Sequence, residues 1–454
     1  MNTAPASKPD EQIAAPASGK PIAPTFRNAF LFWLKLGFIS FGGPTGQIAI
    51  MHQELVEKRK WISNGRFLHA LNYCMLLPGP EAQQLATYVG WLLHRTVGGV
   101  VAGSLFVLPS VFILWGLSFV YVVYGKVPWI AAVFYGLKPA VVAIVAAAVM
   151  RIGSKALKNE VMWTLAALAF VGIFFFKTPF PVIIICAGLI GLAGGRWWPK
   201  KFQVFKGHGG KADTQTIISD EGPAAEHTRP TLRRALKVLA VCLVLWWVPV
   251  LAVGLGLGWH HAVFKEGVFF SKAAMVTFGG AYAVLPYVSQ QAVEHYHWLQ
   301  APQMLDGLGL AETTPGPLIM VVQFVGFLGG WNQPGSLPPV VAATLGALIT
   351  TWTTFVPCFL WIFVGAPHIE QLRGNEKLNA TLSAVTAAVV GVVLNLAVWF
   401  GLNVLFPAGK TVDWFSLAVS VAAFAGMAKW KWDVIPVVLG SGLLGLAYKM
   451  FFGL

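Results

Sequence analysis

The chain states one pattern twice. Phe41-Gly42-Gly43, Trp61 and Pro78-Gly79-Pro80 return as Phe278-Gly279-Gly280, Trp298 and Pro315-Gly316-Pro317, each 237 positions later and without a gap. Phe32 and Lys35 return as Phe269 and Lys272, and Gln53, Val56, Leu68 and Leu71 match Gln290, Val293, Leu305 and Leu308 at the same offset. Apolar composition readily supplies a matched leucine. It does not supply a lysine, a tryptophan and two Gly/Pro clusters in register, so the pattern is an internal duplication. The duplicated clusters interrupt hydrophobic segments. In a membrane chain, such interruptions at corresponding places in two halves mark a transporter's binding site.

The membrane reading rests on composition. The chain is 56% hydrophobic and 11% charged, with mean hydropathy +0.67, whereas a soluble domain is about 25% charged. The net charge of +14 does not point to nucleic acid, because the basic residues cluster in Arg151–Lys158 and Arg196–Lys237, beside membrane segments, as the positive-inside rule requires. Cys74, Cys186, Cys242 and Cys358 lie in apolar segments without metal-ligand spacing and read as small buried hydrophobes.

The expected architecture is an all-α polytopic membrane protein made of two inverted repeats with broken or re-entrant helices, joined by one linking transmembrane helix. Residues 1–26 read as a disordered cytoplasmic tail, 27–196 as the first repeat, 197–232 as a basic cytoplasmic loop, 233–260 as the linking helix and 261–454 as the second repeat. Each half holds two segments broken near their centres, then four continuous ones. An even number of crossings returns the chain to its starting side, so the one additional helix inverts the second half.

The basic residues refine this picture. Lys58, Arg59, Lys60 and Arg66 follow the first broken segment, whereas the equivalent loop Ser289–Pro302 has neither Lys nor Arg. Re-entrant hairpins put the first loop inside and the second outside, together with a cytoplasmic N-terminus.

Non-helical backbone at membrane depth is tolerated only against protein or a water-filled cavity. After each break a half-helix begins with free N–H groups and a positive dipole end, which suits a tetrahedral oxyanion. The candidate anion ligands are therefore Gly42, Gly43, Gly79, Gly279, Gly280 and Gly316, with the side chains of Ser40, Thr45, Gln47, Thr277, Thr313 and Thr314. Close helix packing at small residues is the alternative for any single Gly-Gly pair. Lys35 and Lys272, seven residues before each first glycine, attract the anion or snorkel to the interface. Glu81, Glu312 and Asp306 are candidate proton carriers, since a carboxylate out of contact with water takes up a proton readily; helix capping is the alternative for Glu81 and Asp306. Asn72, Gln83, Gln84, Tyr88 and Gln323 offer neutral polar lining. Trp61 and Trp298 read as interfacial anchors. His260-His261 and His295-Tyr296-His297 read as interfacial rather than metal-binding. No cofactor is expected, and the chain has no Walker A motif.

Together, Lys35-Leu36-Gly37-Phe38-Ile39-Ser40-Phe41-Gly42-Gly43-Pro44, Leu77-Pro78-Gly79-Pro80 and Ala311-Glu312-Thr313-Thr314-Pro315-Gly316-Pro317 resemble the chromate ion transporter family in its long, two-domain form. The resemblance runs from about residue 27 to 452. It implies a bacterial inner-membrane exporter of chromate conferring chromate resistance, a secondary transporter such as a proton antiporter drawing on the proton-motive force. Sulfate is the implied competitor. An importer or exchanger of sulfate or another oxyanion, and an anion channel, stay open as alternatives; either a monomer or a homodimer fits the pattern. The second copy departs at Ala281, opposite Pro44, and at Leu318, opposite Glu81, so the two half-sites differ chemically.

The hairpin topology has a direct test. In a background without native cysteines, an impermeant thiol reagent applied outside should label Glu294→Cys and spare Lys58→Cys. Labelling of position 58 from outside would remove the re-entrant topology.

Overall fold

Glycine and proline stop the helices where the duplicated motifs stand. The computed structural model describes residues 23–41, 43–202, 216–218, 231–367, 376–407 and 411–453. The tail expected at 1–26 falls almost wholly outside them, as do Gly42, the Thr45 side chain and most of the loop expected at 197–232. Among the described residues the regular structure is all helical, apart from one isolated bridge, Ile62 to Ile218.

The first copy begins with α1 (Phe26–Ile39), α2 (Gly43–His52) and α3 (Asn64–Cys74). They are followed by the long α4 (Glu81–Tyr124), which His94 and Arg95 break into arms 81–93 and 96–124. Next come α5 (Pro128–Ala156), α6 (Glu160–Phe174), α7 (Phe180–Trp197) and the single turn α8 (Pro199–Phe202). The linking helix is α9 (Leu232–Leu257). The second copy comprises α10 (Ala262–Val276), α11 (Ala281–Ser289), α12 (Ala301–Thr313), α13 (Val321–Asn332), α14 (Pro339–Gly365), α15 (Glu376–Leu405), α16 (Trp414–Lys429) and α17 (Val434–Phe452).

Among the described residues, seven helices are long and apolar enough to cross a membrane: α4, α5, α7, α9, α14, α15 and α17. Segments 160–174, 318–332 and 414–429 are shorter apolar helices. Large apolar side chains point outward, as on α9, where Leu236, Val241, Val244 and Val248 are exposed. An outward apolar surface of this extent belongs in lipid. The protein is an all-α, multi-pass membrane protein.

Both copies of the duplicated pattern fold alike in detail. π turns occupy Gln53–Lys58 and Gln290–His295. The following reversals place Lys60 and His297 at φ 54° and 53°. Trp61 N–H donates to Leu55 O, and Trp298 N–H to Ala292 O, each at 2.8 Å. The recurring Phe and Trp form an edge-on pair in each copy, 4.9 Å between Phe32 and Trp61 and 5.7 Å between Phe269 and Trp298. Both tryptophans are buried, so they are packing residues and not the interfacial anchors expected from sequence.

The breaks turn the chain back on itself. In the first copy, His94 Nε2 donates to Pro24 O at 3.0 Å, which joins the end of the first α4 arm to the start of α1. Arg234, at the start of α9, lies 5.2 Å from the Trp91 ring. Between these points, Ile218 N–H donates to Trp61 O and Ser63 N–H to Ile218 O. Four arms thus start and finish at one end of the helical body. The second copy repeats the arrangement: His261 Nε2 donates to Pro334 O at 3.1 Å, and Gln333 donates to Tyr296 O and His297 O.

Small residues draw the continuous helices together. Gly136 of α5 faces Gly445 of α17, Gly326 and Gly330 of α13 lie against the α14 backbone, and Gly191 of α7 meets Thr381 of α15. Close backbone approach of this kind replaces the hydrophobic drive that is missing between helices in lipid.

Candidate functional site

The four breaks meet in crossed pairs. Gly79, in the first copy's Pro-Gly-Pro, donates its N–H to Thr277 O, in the second copy's Phe-Gly-Gly break, at 2.7 Å. Gly316 donates its N–H to Ser40 O, also at 2.7 Å. Each bond is the other displaced by 237 positions at both ends. Gly79 and Gly316 have φ of +118° and +101°, a conformation that side chains disfavour. A Cβ would also meet Cys358 and Gln84 at Gly79, and Ser110 at Gly316. Glycine is needed there for both conformation and room.

Buried side chains satisfy the remaining carbonyls. Gln84 Nε2 donates to Pro78 O at 2.8 Å. Ser110 Oγ donates to Pro315 O and Gln47 Nε2 to Gly316 O. Gln323 bridges from Val111 O to Thr351. Gln47, Gln84, Ser110 and Gln323 are all buried, and an unpaired amide or carbonyl there costs about 1–3 kcal/mol. Gln83 is an exception: it is fully buried, in the first turn of α4, and among the described residues neither amide atom has a partner.

Two carboxyl groups converge on the second copy's Gly-Gly break. Glu81 opens α4 directly after Pro80, and its Oε1 lies 3.9 Å from where a Cβ on Gly280 would stand. Gly280 is the N-cap of α11. Glu312 accepts a hydrogen bond from the Tyr282 hydroxyl, and Tyr282 lies in the first turn of α11. Lys155 acts electrostatically on Glu81, and Arg151, four residues earlier on α5, acts on Glu312. The site therefore joins free half-helix N-termini, two acids, one unpartnered amide and two flanking cations.

Other expected residues stand elsewhere. Lys35 and Lys272 are exposed on the outer faces of α1 and α10, away from the breaks, and Lys35 lines a surface groove with Arg59 and Trp61. The hydroxyls of Ser40 and Thr277 donate one turn back along their own helices, to Leu36 O and Ala273 O. Thr313 and Thr314 do the same toward Leu310 O and Ala311 O. These groups reach the site through their backbone, with their hydroxyl hydrogens already engaged. Gly43, at φ +66°, faces open space, and Gly279 faces Val389.

Asp306 forms a separate centre. Its Oδ2 accepts from Tyr121 at 2.9 Å and lies 3.7 Å from Lys138 Nζ. Asp306 sits six residues before Glu312 on α12, about 9 Å along the helix. Lys138, Tyr121, Tyr282 and Ser110 were not picked out from sequence, since none belongs to the recurring motif. Gln47 and Gln83 were.

Removing a carbonyl's donor tests the crossed pairs. Gln47→Leu and Ser110→Ala should each lower stability by about 1–3 kcal/mol, read as a fall in melting temperature in detergent. An unchanged melting temperature in both would mean that other groups satisfy these carbonyls.

Comparison with known proteins is consistent with this architecture. A family model for chromate transporters matches residues 27–192 and 264–446, which are the two copies with the linking region left out. The chromate transport protein of Pseudomonas aeruginosa is 30% identical over 450 residues, covering 96% of both chains. That of Cupriavidus metallidurans is 29% identical over 433 residues, covering 94% of this chain and 95% of its own. A probable chromate transport protein of Synechococcus elongatus is 27% identical over 371 residues, 82% of this chain and 83% of its own. No solved structure matches the chain. With both copies matched, and a relative at this identity covering nearly all of the sequence, the chain belongs to the chromate transporter family.

Proposed function

We propose that the protein exports chromate across the bacterial inner membrane, with sulfate as competitor, and that the oxyanion binds where the breaks cross. The proposed topology has the N-terminus inside, two re-entrant hairpins per copy and inverted copies related through α9. It is supported by the returning hairpin ends, by the bridge joining the basic 58–66 loop to Ile218, and by the lack of Lys or Arg in the equivalent second loop. On this topology Arg151 and Lys155 stand at the cytoplasmic end of α5 and draw the anion toward the site.

The observation that carries the reading is the position of Glu81. It opens one half-helix and lies beside the N-cap glycine of another. Two positive dipole ends favour one negative charge there. An ionised Glu81 supplies that charge itself and repels an oxyanion; a protonated Glu81 leaves the position to the substrate. Anion and proton then bind together, with Glu312 as the neighbouring acid.

The sign of this coupling bears on direction. A dianion that moves with one proton carries one net negative charge. The inside-negative potential favours its exit by about 2.3 kcal/mol per 100 mV. The pH gradient, alkaline inside, opposes exit by the one proton. Export by this route draws on the electrical part of the proton-motive force, and antiport is not required.

Proteoliposomes separate these terms. Efflux of chromate should rise with an imposed inside-negative potential, and sulfate should compete. Oxyanion affinity should weaken as pH rises, by at most about tenfold per pH unit for one linked proton. Glu81→Gln should bind at neutral pH with that dependence removed. Flux insensitive to potential and pH, or a Glu81→Gln variant with the wild-type pH profile, would remove the proposal.

A further inference from the structure

Beside Asp306, which is paired with Tyr121 and Lys138, the central site leaves a second buried acid unused. Glu266 lies one turn into α10, fully buried, and among the described residues neither carboxyl oxygen has a hydrogen-bond partner. It is packed between α10, α13 and α14. Its Oε1 occupies the space that a side chain at Gly329 would take, and its Oε2 lies 2.6 Å from where a Cβ on Gly346 would stand. Trp298 packs against the same Gly329, and its indole N–H is also buried without an acceptor.

The slot is built for this side chain. At the positions equivalent to Glu266 and Gly329 the first copy has Ala29 and Leu92, whereas Gly346 answers to Gly98, which faces Gly90 as Gly346 faces Gly326. The acid and Gly329, the glycine that makes room for its Oε1, therefore occur together in one copy only, whereas the second glycine is common to both. No cation accompanies it among the described residues. α13 carries no titratable side chain, and α14 offers only Cys358. α9 offers Cys242 beyond its basic first turns, and α11 offers Tyr282 and Tyr287. On α10 itself, Lys265 and Lys272 are exposed on other faces. An isolated ionised carboxylate in such a place costs several kcal/mol, whereas a protonated one loses only ordinary hydrogen bonds.

We propose that Glu266 is a second proton-binding site, carrying its proton while α10 is packed against α13 and α14 and releasing it when they part. The consequence reaches the centre, because α10 runs from Glu266 directly to Thr277, whose carbonyl holds Gly79. Eleven residues separate Glu266 and Thr277, about 16 Å along a helix. Proton release at one end loosens the helix that supports the break at the other. The functional arm of this inference rests on the transport reading above; the proton site itself does not.

Infrared spectroscopy of the purified full chain tests it. At neutral pH the wild type should show a protonated-carboxyl C=O band that Glu266→Gln lacks and Glu81→Gln keeps. Hydrogen exchange of the α10 amides should accelerate in alkaline buffer beyond the intrinsic rate in the wild type, and not in Glu266→Gln. In proteoliposomes, potential-driven chromate efflux should fall about tenfold in Glu266→Gln, if releasing the proton is part of the cycle. An unchanged infrared spectrum would overturn the proposal. So would loss of fold in both Glu266→Gln and Glu266→Met, since an uncharged carboxyl without partners is replaceable by a neutral side chain of its length. Wild-type flux indifferent to potential and pH, with the infrared band present, would instead defeat the transport reading and leave the proton site standing.

Discussion

The crossed backbone bonds, Gly79 to Thr277 and Gly316 to Ser40, are what the rest of the structure depends on. A chain that stops its helices inside a membrane must find partners for the exposed peptide groups within the protein. Here each copy supplies the partner that the other lacks. Neither copy closes its own break, so the two copies must fold against each other. The unusual residues follow from that demand: glycine where φ is positive and space is short, proline where a half-helix begins, and buried glutamine or serine where a carbonyl remains. The amides left over are those in the first turns of the new half-helices, where the proposed function puts the anion.

Much of this was legible in the chain. The positions of the breaks, the helices around them and the presence of a polar centre all followed from motifs recurring at a fixed offset. The recurring π turns, the paired positive φ at Lys60 and His297, and the Phe–Trp pairs are that same recurrence seen as structure. Recurrence, however, reports what both copies need for folding and does not separate scaffold from chemistry. Lys35 and Lys272 recur and lie exposed on the outer faces. Trp61 and Trp298 recur and are packing residues.

What sequence hid are contacts between distant segments. Ser110 meets Pro315, Gln47 meets Gly316 and Lys138 meets Asp306, and no local periodicity announces such pairs. Glu266 shows the same limit in another form. Within its own segment it is one acid near the start of a helix, where capping or solvent exposure is the ordinary expectation. Its burial becomes evident only when Gly329 and Gly346, far along the chain, are seen to make room for it.

The asymmetry between the copies then acquires a location. Glu81 belongs to the first copy and Glu312 to the second, yet both gather at the start of α11. The opposite crossing, where Gly316 meets Ser40, has Leu318 in the place of Glu81 and Met75 in the place of Glu312. One crossing therefore carries two acids and the other only neutral polar groups, Gln47 and Ser110, on a backbone that is nearly the same twice. A fully symmetric centre would offer two equal anion positions whose charges repel at close range. On the proposed reading, placing both acids at one crossing gives a single position where substrate charge and side-chain charge compete. The duplication provides the frame, and the departures from it decide where a charge can rest.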